Sequence, residues 1–410
     1  MKKVAVIGSG ISGLVCGYYL SKTYDVTVFE ANDYIGGHTS TSEISYQGEN
    51  QRIDTGFIVF NDRTYPNFIK LIEELGVAYQ PTEMSFSVRN DENGLEYNGN
   101  NLFSLFAQRK NLISPAFWGM LRDILRFNKA VRKEVDDPTD STIGSYLDGQ
   151  EYGQLFKQSY LLPMISAIWS MGLQETKQFP LKFFARFFLN HGLLDVVNRP
   201  QWYTICGGSN SYVKPLVDSF AHPVRVNSGV EKVVRGSDQL TLYFQDQFES
   251  FDEVVIATHA DQALAMLDEP TADEQRVLSG IDFTTNQVVL HTDTSILPRT
   301  RRAWASWNYH LNDVMHKPTL TYNMNILQRL DAVHTYLVSL NTEVEEEKVI
   351  KRFAYAHPVY NPATIEAQAQ WEKISGRDRI HYAGAYWLNG FHEDGVASGL
   401  RVCNMLGVTP

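Results

Sequence analysis

Three glycines and one acid near the start of the chain have the types and spacing to hold a dinucleotide. Gly8-Ser9-Gly10-Ile11-Ser12-Gly13 forms a glycine-rich turn, and Glu30 follows it. Gly8 permits the tight turn, Gly10 lets main chain approach a pyrophosphate, and Gly13 lets a helix pack closely on a strand. The helix start offers free N–H groups and a partial positive charge. Glu30 is placed to accept hydrogen bonds from a ribose diol, and its charge disfavours the 2′-phosphate of NADP. A second group lies near the C-terminus: Tyr386, Trp387, His392, Asp394 and Gly395. A helix starting near Gly395 would stabilise developing negative charge at its N-terminus. Asp394 is either part of that site or the helix N-cap. His392 is either an acid–base residue or a hydrogen-bonded support. Tyr386 and Trp387 could supply part of an aromatic cage.

These residues need particular elements to position them. Lys2–Ile7 is an apolar run that reads as a strand, Leu14–Leu20 as a helix, and Asp25–Glu30 as a second strand. Residues 40–60 read as strand, turn and strand, and Tyr65–Leu75 as an amphipathic helix ending at Gly76. Met84–Tyr97 reads as a strand pair turning at Asn93-Gly94. Two helices are expected over Ser141–Met171 and one over Tyr212–Phe220. Residues 283–356 alternate like strands, among them Arg302–Tyr309, and Glu343–Glu347 reads as a solvated helix start. Phe251–Thr258 and Ile380–Ala385 read as two further strands of the first unit.

The chain has 410 residues, 43% apolar and 20% charged, enough for two domains with a large core. Its net charge of -11 argues against nucleic-acid binding by the chain as a whole. Cys16, Cys206 and Cys403 are far apart in sequence and are expected to be reduced thiols with no metal site. The early glycines argue against a signal peptide, and no apolar run is long enough to span a bilayer. Residues 101–134 reverse the overall charge, with seven basic side chains against Asp123 and Glu134. That stretch is either a helix pair with a solvated basic face or an interfacial helix for anionic lipid. Phe183, Phe184, Phe187 and Phe188 are either core or the wall of an apolar channel.

Gly36-Gly37-His38-Thr39, Asp54-Thr55-Gly56-Phe57-Ile58-Val59-Phe60-Asn61, Met84-Ser85-Phe86-Ser87-Val88 and Gly390-Phe391-His392-Glu393-Asp394-Gly395 carry a resemblance. Over almost its full length the chain resembles the flavin-containing amine oxidase superfamily. Within it, the chain is similar to a bacterial group of NAD/FAD-binding proteins associated with cyclopropane-fatty-acid synthase-like enzymes. The resemblance implies an α/β fold: a Rossmann-type FAD-binding domain and a discontinuous α+β substrate domain, as in the amine oxidase/p-hydroxybenzoate hydroxylase-like two-domain fold. The FAD domain is expected at 1–70, 201–270 and 375–410, the substrate domain at 71–200 and 271–374. FAD is expected to be non-covalent. Its expected contacts are Gly8, Gly10, Ser12, Gly13, Glu30, Ala31, Gly37, His38, Thr39, Thr55, Gly56, Phe57, Val230, Ala257, Thr258, Gly384, Ala385, Asp394, Gly395, Val396 and Ser398. Gly56 is expected to let main chain approach the flavin ring. Asp54 is either beside the flavin or a turn acid.

Two positions depart from the superfamily. Thr285-Asn286-Gln287-Val288-Val289 has no lysine where amine oxidases carry one near the flavin, and Ala385 follows Gly384 where many relatives have an acid. Three functions are therefore carried forward. The first is an FAD enzyme desaturating or isomerising an unsaturated acyl chain, with His392, Tyr386 and Trp387 as catalytic candidates. The second is an amine oxidase. The third is a non-catalytic flavoprotein partner of a lipid-modifying enzyme. The protein is expected in the cytoplasm, with peripheral contact on the inner face of the membrane.

Overall fold

The computed structural model describes residues 1–135, 141–169, 172–195, 198–311 and 319–409. Met171, the expected end of the second helix after Ser141, lies outside them. A four-stranded parallel sheet organises the nucleotide side, in the order Ile380–Tyr382, Glu253–Ile256, Lys3–Ile7, Asp25–Phe29. These strands are short and nearly all apolar because helices and loops cover both faces. Their register aligns Ile7 with Phe29 and with Ile256, and Ile256 with Tyr382. The residues that follow each strand, Gly8, Glu30, Ala257 and Ala383, therefore gather at one carboxyl edge, where open α/β sheets bind ligands.

The second layer is a seven-stranded mixed sheet. Its order is Val349–Pro358, Phe283–His291, Leu337–Leu340, Thr319–Asn323, Trp307–Leu311, Phe86–Asn90, Leu95–Asn98. One face packs Val88, Tyr97, Tyr309 and Leu320 against Phe117, Phe127, Phe156 and Phe184 of the helical region. The other buries Val288, Leu290, Val338 and Leu340 with Ile53, Ile58 and Tyr336. A smaller sheet pairs Trp202–Ile205 with both Val59–Asn61 and Tyr79–Thr82. Tyr79–Thr82 thus pairs with a segment on the far side of the expected boundary at residue 70.

Most expected elements form where the pattern is local. The helix after Tyr65 spans Pro66–Glu74, and the hairpin pairs Phe86–Asn90 with Leu95–Asn98. Others shorten. Tyr212–Phe220 becomes a 3₁₀ turn, Ser209–Tyr212, and a helix over Val213–Val217 only. Of Arg302–Tyr309 only Trp307 onward is strand, because Arg301–Ala303 winds into a 3₁₀ turn. The acids near Glu345 form only the 3₁₀ turn Glu346–Lys348. Lys157–Leu161 is a π turn just before Pro163, whose ring clashes with a regular preceding turn. Cys16 and Cys403, distant in sequence, meet as free buried thiols where the first and last helices cross. No described helix is long and apolar enough to cross a membrane.

Candidate active site at the carboxyl edge of the parallel sheet

The glycine turn shows which positions are closed and which are open. A methyl group on Gly13 would lie 2.0 Å from the carbonyl oxygen of Gly8, and one on Gly8 (φ +103) would lie 2.9 Å from that of Ala257. A methyl on Gly10 would meet nothing within 4 Å. Gly8 and Gly13 are thus required by packing, while Gly10 faces open space at the helix start, where a pyrophosphate fits. The second glycine turn closes over it: Gly36 N–H donates to the Ser9 carbonyl at 3.1 Å, and Gly37 adopts φ +57 beside Gly10.

Glu30 is buried and fully engaged. One carboxylate oxygen accepts from Ser9 N–H at 3.0 Å and Ser9 Oγ at 2.6 Å; the other accepts from Asn32 N–H at 2.9 Å and Asn32 Nδ2 at 2.8 Å. The acid is fixed at the strand end, with its position dictated by the turn it serves. Ser228 N–H donates to the Glu30 carbonyl at 2.8 Å, and Gly229 lies beside Ala31, which brings Val230 to the same region. Ala257 and Thr258 back the glycine turn from the neighbouring strand.

The C-terminal helix spans His392–Met405, beginning three residues before the expected Gly395. Asp394 accepts the N–H of Phe391 at 2.8 Å and Asn389 Nδ2 at 3.1 Å, so it caps the helix from its third position. Burial raises its pKa to about 6. Gly395 serves a helix crossing: a methyl there would lie 2.5 Å from Ile11 Cγ2, and Ser12 Oγ donates to its carbonyl at 2.8 Å. Val396 is core, and Ser398 Oγ accepts Gly384 N–H at 3.0 Å. The crossing sets two helix N-termini, after Gly10 and at His392, at the same sheet edge.

Other candidates take different roles. Gly56 is glycine because its Cα approaches the main chain of His38: a methyl would sit 2.1 Å from the His38 carbonyl, which also accepts Phe57 N–H. Tyr386 and Trp387 are drawn into the core by the 3₁₀ turn at Ala385–Trp387. Tyr386 lies over Gly384 and donates to the Thr258 carbonyl at 3.1 Å. The expected cage is not formed by these two rings. The His392 ring stacks on Phe57 at 3.7 Å, meets the edge of Phe68, and pairs with the Tyr212 hydroxyl at 2.8 Å. That hydroxyl also bonds Thr39 Oγ1 at 2.6 Å. Burial, aided by His38, lowers the His392 pKa to about 3, so the imidazole is neutral at physiological pH. Asp54 acts as a cap: it accepts Ser209 N–H at 2.8 Å and the Thr41 hydroxyl at 2.6 Å, and burial raises its pKa to about 7.

The residues missed in the sequence are two histidines, His259 and His357, which join His38, a contact already expected. His38 from the second glycine turn, His259 from the end of Glu253–Ile256, and His357 from the edge strand of the large sheet gather at the junction. Ring centroids are 6.1 Å apart for His38–His259 and 5.6 Å for His38–His357. Tyr355 lies 5.2 Å from His38 and bonds Thr55 Oγ1 at 2.8 Å; Phe283 stacks on His259 at 4.3 Å. Asn286, in the segment that lacks the lysine, donates to His357 Nδ1 at 2.9 Å. Burial lowers all three imidazoles, His38 to about 3 and His357 to about 4. His38 Nε2 is buried without a hydrogen-bond partner. Of the two missed residues, only His259, two residues after Ala257, gave a positional signal. Among the described residues no cluster of three or more His, Cys, Asp or Glu side chains could hold a metal ion.

A cavity of about 550 Å³ opens between the Leu181–Asn190 helix and the C-terminal helix, lined among others by Arg63, Tyr65, His191, Phe391, Glu393 and Asp394. Glu393 accepts Asn67 and Phe68 N–H groups, and burial raises its pKa. The phenylalanines expected in a channel wall mostly pack elsewhere. Phe184 and Phe188 are core, Phe187 stacks on Phe391, and Phe183 on Tyr360.

The family described as flavin containing amine oxidoreductase matches residues 11–308. A 1-hydroxycarotenoid 3,4-desaturase from Flavobacterium sp. (strain P99-3) is 37% identical over 98 residues; the match spans 24% of this chain and 18% of that protein. Among solved structures, a CLA-producing fatty acid isomerase from P. acnes has a TM-score of 0.71 at 14% identity, covering 98% of each chain. A cyclohexylamine oxidase from Brevibacterium oxydans IH-35A has a TM-score of 0.70 at 14% identity, covering 99% of this chain and 98% of that one. These two likenesses are of fold. With more than half its length matched and a glycine turn open at Gly10, the chain belongs to the flavin containing amine oxidoreductase family and is an FAD-dependent oxidoreductase.

Proposed function

We propose that the protein acts on an unsaturated acyl chain or related lipid, by desaturation or double-bond isomerisation. The observation that carries this reading is the junction of uncharged rings, His38, His259, His357, Tyr355 and Phe283, beside a strand without the lysine. An uncharged alkene meets such a wall without leaving a buried ion unpaired, and each buried CH₂ contributes about 0.8 kcal/mol. When bound, FAD supplies a two-electron acceptor for hydride. The chain's own residues bind, orient and exclude water. The Gly8–Gly13 turn and Glu30 hold the nucleotide end, with Ala31 and Val230 beside it. The two helix N-termini favour negative charge at the sheet edge. His38 is neutral, so the phosphates rely on main-chain N–H groups. The desaturase match and the isomerase fold support this choice without specifying the substrate.

The same reading carries a place of work, peripheral on the inner face of the membrane, and a functional link to a cyclopropane-fatty-acid synthase-like enzyme. The amine reading is favoured by one observation, the two carboxylates Glu393 and Asp394 lining the cavity. Both already accept main-chain N–H groups. Anaerobic titration of the flavin-loaded protein with unsaturated acyl lipids and with amines, in parallel, separates the readings. Flavin bleaching by the lipid, or a shifted double bond without bleaching, is expected. Bleaching by amines alone would overturn the proposal.

A further inference from the structure

The 101–134 segment folds as a short helix at Leu102–Leu105, a 3₁₀ turn at Arg109–Ile113 and a helix at Pro115–Val131. It carries an unusual share of the exposed large apolar side chains: Leu102, Phe103, Leu112, Ile113, Trp118 and Leu125. Phe103 is 88% exposed and Ile113 85%. On the longer helix Phe117, Met120 and Phe127 face the core. Trp118, Arg122, Leu125 and Lys129, spaced four, three and four apart, share the opposite, exposed stripe. Trp118 Nε1 donates to the Leu112 carbonyl at 2.9 Å, and its ring meets Phe106 at 5.5 Å, which joins turn and helix into one surface.

The charges on this surface are sorted. Arg109, Arg122 and Lys129 are exposed and have no ion-pair or hydrogen-bond partner among the described residues. The Leu102–Leu105 helix packs against the turn at Arg301–Ala303, which adds exposed Arg301 and Arg302; exposed Arg299, just before it, pairs with Asp91 at 3.5 Å. Two of the nearby acids are turned to main chain: Asp123 accepts Gly153 N–H at 2.8 Å, and Glu96 accepts the N–H groups of Arg299 and Thr300, while exposed Asp91 is paired with Arg89 and Arg299. In a chain of net charge -11, this is a local cationic rim around protruding rings.

We infer that this surface docks on an anionic bilayer, with Phe103, Ile113 and Trp118 entering the headgroup boundary and the arginines and lysines meeting lipid phosphates. It gives the membrane placement proposed above a surface, and rests on that placement but not on the acyl substrate. Charge selects the occupant: in a two-fold pair of copies joined through this face the cationic rim would meet itself, whereas an anionic lipid surface neutralises it.

The test is sedimentation of the flavin-loaded protein with phosphatidylglycerol-containing vesicles and with phosphatidylcholine vesicles, at low and high salt. The expected result is binding to the anionic vesicles at least roughly tenfold above the neutral ones, reduced several-fold by salt. Phe103→Glu with Ile113→Glu abolishes it, with flavin absorbance retained. Arg122→Ala with Lys129→Ala weakens it and flattens its salt dependence. No binding to anionic vesicles at low salt overturns the inference. So does binding that survives Phe103→Glu with Ile113→Glu, or a solution dimer that this pair of changes dissociates. Binding is read without turnover, so failure here leaves the substrate reading standing, and failure of the substrate reading leaves this one standing.

Discussion

The glycine turn and the histidine junction lie in one molecule but are built on different terms. At the turn, polar groups are paired over short spans of chain: Glu30 takes four hydrogen bonds from Ser9 and Asn32. At the junction the groups come from residues 38, 259 and 357, are held neutral by burial, and leave His38 Nε2 unpaired. The turn is a recognition device for a charged, fixed ligand. The junction is a half-buried wall of uncharged rings whose character comes from the charge it lacks.

The largest expected effect separates packing from ligand approach within the turn itself. Gly13→Ala places a methyl 2.0 Å from main chain, so it should give misfolded or flavin-free protein. Gly10→Ala has no steric neighbour in the fold, and Gly10 already sits at φ -66, which alanine tolerates. Its expected outcome is a folded protein with unchanged circular dichroism and FAD affinity reduced by roughly tenfold or more, since the methyl enters the pyrophosphate's space. Full flavin loading of Gly10→Ala would move the phosphate site elsewhere.

Glu30→Ala comes next. A hydrogen bond to a charged group contributes about 1.5–3 kcal/mol, so FAD should bind roughly one to two orders of magnitude more weakly by equilibrium titration. An unchanged dissociation constant would leave Glu30 as a scaffold for Ser9 and Asn32 alone.

The turn was legible in the sequence because its parts are close along the chain and each glycine has a steric reason. The C-terminal strand and helix were legible in the same way, to within three residues. The helix begins at His392 because Asp394 reaches back to Phe391, while the expected start, Gly395, is a crossing point with Ile11 and Ser12. The roles of Gly56, Tyr386 and Trp387 were not legible. Gly56 answers to the His38 carbonyl, a contact set by how two loops meet, and the two rings answer to a turn that folds them inward. His357 carried no local signal at all, since only the pairing of Val349–Pro358 with Phe283–His291 brings it to Asn286.

A smaller effect tests burial as the source of the shifted pKa values. Asp54 has a folded pKa raised to about 7, above its unfolded value. Its protonation therefore favours the folded state, and this stability is present at low pH and lost as pH rises toward and through 7. Asp54→Asn keeps an acceptor for Thr41 and Ser209 and removes the titration. Its unfolding free energy relative to the parent, from denaturant titrations, should rise with pH between about 4 and 7, on the order of 1.4 kcal/mol per pH unit in that window. A pH-independent difference would mean that Asp54 is not desolvated.

The central claim, that the uncharged junction takes an acyl chain, is tested most directly by product analysis. The flavin-loaded protein is incubated with an unsaturated fatty acid deuterated at its allylic carbons, together with a primary amine. Products are then read by mass spectrometry. The expected result is an acyl product that has lost two hydrogens or whose double bond has moved with the label, and an unreacted amine. Recovery of the fatty acid unchanged while the amine is oxidised would contradict it.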